Sequence, residues 1–163
     1  GMVQAGPIPP VPPRWLPSGL LMGYRRRAFY KKRQQLLAGR SPGSEYYSLP
    51  GSPGGTLGRF IAQQAYDLVH LHWVAGWLGV AELAWLAQRV PIVWSMHDMA
   101  PFTGGCHYNE DCRAFESGCS YCPQLPPGSA AAVQTLWQTK AQAYACIPPE
   151  QLAFVGLSRW MTQ

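Results

Sequence analysis

A chain of 163 residues and 18.0 kDa has room for one domain with a real core. It contains no run of 18 apolar residues, which argues against a membrane-spanning helix. The net charge of +5 divides into +8 over residues 1–66 and −3 over residues 67–163, so an anionic partner is expected at the first part.

Residues 1–17 hold Pro7, Pro9, Pro10, Pro12, Pro13 and Pro17, which remove backbone donors and favour an extended tail. Trp15–Met22 is too short and too broken by Pro and Gly for the core of a signal peptide. A cytoplasmic location is therefore expected, with membrane association at most peripheral. In that compartment thiols stay reduced or bind metal. Residues 18–55 read as a basic helix and a loop. Leu20, Tyr24 and Ala28 recur at a spacing of four, and Gly39 stops the helix. Six cations, Arg25–Arg27 and Lys31–Arg33, flank Phe29 and Tyr30, a composition suited to anionic lipid headgroups or to nucleic acid.

Residues 56–163 carry the folded domain. Thr56 is suited to cap a second helix with the stripe Leu57, Phe60, Ile61 and Ala65, ended by Asp67. Leu68–His72 reads as a strand. Val80, Leu83, Ala84 and Ala87 mark a third helix, Pro91 ends that region, and Ile92–Met96 is a second strand. Residues 98–129 read as loop, Ala130–Cys146 as a fourth helix and Leu152–Leu157 as a third strand. Strands that alternate with helices predict an α/β fold with a Rossmann-like parallel sheet and flanking helices.

Ligands of such sheets bind beyond the carboxyl ends of the strands. The first strand brings His70, His72 and Trp73 to that edge, the second His97 and Asp98, and the third Ser158 and Arg159. His97 is the first candidate for a donor, acceptor or base near neutral pH, with Asp98 to orient it. Thr103, Gly104 and Gly105 offer a hydroxyl and unhindered N–H groups to phosphate or sugar oxygens. Cys106, Cys112, Cys119 and Cys122 follow as C-x5-C-x6-C-x2-C, half of which has zinc-knuckle spacing. Structural zinc, disulfides and free thiols remain open for them, and His107 and Asp111 are further possible ligands. Cys146 is expected in the core.

DLVHLHWV (67–74), PIVWSMHDMAPFTGGCHY (91–108), GCSYCPQL (118–125) and VGLSRW (155–160) together resemble family 4 glycosyltransferases of the kind that build bacterial surface polysaccharide. The likeness runs from Asp67 to Gln163. It implies a partial N-terminal, acceptor-side domain of a GT-B enzyme. Such enzymes have two Rossmann-like domains around a cleft, are retaining and use no catalytic metal. His97 would face the transferring sugar or diphosphate, with Asp98 beside it. His72, Trp73, Ser158 and the Thr103–Gly105 turn would border bound substrate. The implied partners are a nucleotide sugar and a glycan or lipid-linked acceptor, with no nucleic acid.

Two family features have no counterpart: the Gly-rich loop after the first strand, and the Glu-x7-Glu signature, since no two of the five Glu are eight apart. A truncated enzyme that transfers no sugar alone is therefore expected. Two other readings compete. One is a metal-dependent hydrolase built on His70, His72, His97 and Asp98. The other is a binding module for nucleic acid or membrane centred on Arg25–Arg33.

Overall fold

The computed structural model describes residues 18–40, 47–48 and 57–159. The proline-rich segment, Thr56 and most of the 41–55 loop lie outside the described residues. Helix α1 covers Ser18–Leu37, α2 Leu57–Ala62, α3 Val80–Ala87 and α4 Ala130–Ala145. Strands β1 (Val69–Leu71), β2 (Ile92–Met96) and β3 (Leu152–Gly156) form one sheet. Single 3-10 turns stand at Ala114–Ser117 and Pro149–Gln151. The fold is α/β, as the alternation of elements predicts.

All three strands are parallel and lie in the order β1-β2-β3. Val69 pairs with Ile92 and Leu71 with Trp94, while Ile92 pairs with Leu152 and Met96 with Gly156. Because side chains alternate along a strand, Val69, Leu71, Ile92 and Trp94 share one face. That face packs against Leu83, Leu86 and Ala87 of α3 and against Ile147 just beyond α4. Phe154 of β3 continues it, 5.8 Å from the Trp94 ring and 5.5 Å from Tyr144 of α4.

Two elements fall short of their expected bounds by more than a single residue. The second helix stops at Ala62 instead of reaching Asp67, because Leu57 and Ile61 pack on the core while Gln63–Asp67 are exposed. A helix of six residues is held by its packing and not by its propensity. The Glu82 carboxylate of α3 also accepts the Gly58 N–H at 2.6 Å, placing negative charge at the start of α2. The first strand is three residues long, which leaves His72 just past its end.

A second, smaller core lies apart from the sheet. Tyr47, Cys119, Leu125 and Val133 are buried there, and Phe29, Leu36 and Leu37 of α1 pack against them. Phe29 therefore faces inward, while Tyr30, Lys31, Lys32 and Arg33 are exposed. Among the described residues no helix is long and apolar enough to cross a membrane.

Leu86 is fully buried at the centre of the main core. Leu86→Ala should lower the unfolding free energy by about 2–5 kcal/mol. Urea titration checks this, with the midpoint falling and the slope unchanged.

Candidate functional site

Because β1 and β2 are parallel and in register, the residues that follow them leave the sheet side by side. His72 Nδ1 and His97 Nε2 are 2.8 Å apart. His70, two residues before His72 and so on the same face, hydrogen-bonds Ser95 Oγ through Nε2 at 2.9 Å. The His70 and His72 ring centroids are 4.2 Å apart. Three imidazoles thus line up along the edge that parallel-sheet logic selects.

An imidazole-to-imidazole hydrogen bond needs one nitrogen as donor and the other as acceptor. His72 and His97 can therefore carry at most one extra proton between them while the bond lasts. The pKa of His72 is held below the ordinary histidine value, first by loss of hydration among the rings, then by repulsion from His70 and His97.

Trp73 follows with φ of 48°, in the left-handed region. This turn swings its ring over the edge, stacked on His97 at 5.3 Å and on His107 at 6.2 Å. The outer face of the indole is open to solvent. Beneath it lies a shallow cleft of about 50 Å³, lined by Ser48, Trp73, Trp94, His97, Asp98 and Tyr144 among others. An apolar wall with a few polar groups is the usual make-up of a small-molecule site.

Asp98 does not join the three imidazoles. One carboxylate oxygen accepts the Ala100 N–H at 2.8 Å, and the other is 2.7 Å from His107 Nδ1. His107 Nε2 lies in turn 2.7 Å from Ser48 Oγ. Ser48, His107 and Asp98 thus have the linear order of a nucleophile triad. Catalysis of that type also needs N–H donors aimed at a developing oxyanion. The nearby Ser48, Gly104 and Gly105 N–H groups go to Gly105 O, Cys119 Sγ and Thr103 Oγ1. The line is best described as a brace that ties residues 47–48 to the loop after β2.

The Thr103–Gly105 turn does not line the cleft. Thr103 is fully buried, and its hydroxyl donates to Cys106 O at 2.7 Å. Gly105, at φ +133°, lies against Tyr47, where an added Cβ would meet the ring at 2.5 Å. The N–H groups expected to meet phosphate or sugar are therefore committed inside the protein. Ser158 lies exposed beyond β3 and is not among the cleft residues.

Lys140 of α4 went unnoticed in the sequence. It is almost fully buried, and its ammonium donates to the carbonyls of Ala100 and Thr103. Burial lowers its pKa to about 8, against the pull of Cys106, Cys119 and Asp98. A signal was present: Val133, Trp137, Lys140 and Tyr144 fall on one helical face, a lysine within an apolar stripe.

Cys106, Cys112, Cys119 and Cys122 surround one small cavity, and all are free thiols. Cys146, expected in the core, is exposed at the end of α4. Among the described residues no three His, Cys, Asp or Glu side chains stand arranged to hold a metal ion.

Two outcomes follow. Lys140→Met leaves two buried carbonyls without a donor and should cost about 1–3 kcal/mol in chemical denaturation. His97→Gln removes the electrostatic influence of His97 that helps to hold the His72 pKa down. The His72 midpoint, read from its ring proton shifts by NMR, should move up toward the ordinary value of about 6.5. Set beside known proteins, the chain matches no family model, no curated protein and no solved structure.

Proposed function

We propose that this chain is the acceptor-side part of a retaining glycosyltransferase of the family 4, GT-B type. In this reading it helps move a sugar from a nucleotide-sugar donor to a glycan or lipid-linked acceptor. The observation that carries it is the cleft at the carboxyl edge of the parallel sheet, where His97 and Trp73 meet. His97 Nε2 is held by His72, and Nδ1 makes no hydrogen bond among the described residues, so it suits a ligand hydroxyl or phosphate oxygen. The open face of Trp73 suits the C–H face of a pyranose ring. The order of the four sequence motifs supports the same reading.

On this proposal His72 sets the tautomer and orientation of His97, while Asp98 positions the loop through His107. A second Rossmann-like domain would carry the nucleotide sugar across the cleft. The exposed cations Lys31, Lys32 and Arg33 of α1 suit the headgroups of a membrane that presents a lipid-linked acceptor.

Titration of the isotope-labelled chain with methyl glucoside, methyl galactoside and methyl mannoside tests the site. At least one glycoside should shift the Trp73 indole and His97 ring signals. Trp73→Ala should weaken that binding by about ten-fold or more, equivalent to about 1.4 kcal/mol. The proposal fails if no glycoside perturbs these signals while Zn²⁺ or Mn²⁺ shifts His70, His72 and His97 together, the result expected of a metal-dependent hydrolase.

A further inference from the structure

The segment from Cys106 to Cys122 contains few apolar side chains, yet its backbone is folded tightly. Glu110, Gly118 and Cys119 all have positive φ, at 49°, 105° and 53°. For the two residues with a Cβ, that conformation costs roughly 1–2 kcal/mol each. These turns bring the four cysteines of this loop around a single cavity of about 10 Å³. Such a volume holds one water-sized sphere. Tyr47 and Val133 close it off, within the smaller core.

One sulfur already receives an N–H donor: Gly104 N–H donates to Cys119 Sγ at 3.2 Å. A neutral thiol is a weak acceptor and a thiolate a strong one, so this donor is suited to charged sulfur.

We propose that Cys106, Cys112, Cys119 and Cys122 hold one structural zinc ion as a tetrathiolate. A set of four soft sulfur ligands selects zinc over hard cations, and four protein ligands leave no open position for catalysis. The side chains close on the ion by rotation, within walls already in place. Binding releases a proton from each thiol that carried one. The other sequence candidates drop out: His107 is committed to Asp98 and Ser48, and Asp111 is exposed and away from the cavity. The buried Lys140 ammonium, which acts on Cys106 and Cys119, offsets part of the negative charge of the site. The ion fastens the loop that carries His107 and the Thr103–Gly105 turn, so its role does not depend on which substrate the cleft takes.

The test is elemental analysis of the full chain, purified with reductant and without chelator, together with the absorption spectrum after cobalt replacement. One zinc per chain is expected, with sulfur-to-cobalt charge-transfer absorption and tetrahedral visible bands. Cys146→Ser should retain the ion, whereas Cys119→Ser and Cys122→Ser should bind it many-fold more weakly. Since those two variants can fail to fold, the unmutated protein is also titrated with an organomercurial, which should release zinc as the four clustered thiols react. Four results overturn the proposal. They are folded, reduced protein that takes up neither zinc nor cobalt, disulfides among the four cysteines, iron in place of zinc, or zinc lost through Cys146→Ser but kept in Cys119→Ser.

Discussion

The Lys140 ammonium is the constraint on which the site depends. A cation taken out of water must find partners, or it loses its charge. Lys140 finds them in the carbonyls of Ala100 and Thr103, on the loop that leaves β2. Helix α4 thereby grips the segment that carries His97, Asp98 and the glycine turn. Tyr144, one helical turn further on, donates to Pro101 O at 2.7 Å and strengthens the same grip. The loop after β2 is therefore held from the helix side by three side-chain hydrogen bonds.

Two polar networks rest on this clamp and have different tasks. The outer one, His70, His72 and His97, lies at the sheet edge with nitrogens available to a ligand. The inner one, Asp98, His107 and Ser48, is largely satisfied within itself and fastens residues 47–48 across the loop. Tyr47 completes this fastening by donating to Gly104 O at 2.7 Å. Hydrogen bonds buried in this way are costly to break and so specify one loop geometry. A cleft wall built on such a loop is preorganised, which limits the ordering cost when a ligand arrives.

What the sequence made legible follows local physical rules. β2 is an apolar run between Pro91 and His97, and its bounds agree with the structure residue for residue. The α3 stripe at Leu83, Ala84 and Ala87 is as buried as its spacing implies. That His72 and His97 share one edge followed from two strands ending there, but their mutual hydrogen bond did not. The interior of the 98–129 loop was not legible, because its hydrogen bonds connect residues far apart in the chain. Nothing near Ser48 announces that its hydroxyl meets His107, 59 residues away. Gly104 and Gly105 looked like open anion-binding backbone, since glycine serves both an exposed nest and a tightly packed turn. Here close approach is the reason: a Cβ at Gly104 would meet Val133 at 2.4 Å.

Trp73 shows what this arrangement demands of the backbone. A bulky residue at positive φ sits outside the regions that suit it, and such strain persists only where its surroundings enforce it. Glycine at this position would relax the turn and leave His97 and His107 uncovered to water. Tryptophan keeps the strain and roofs both rings, one from each network. Through Trp73 the two polar networks share one ring neighbour.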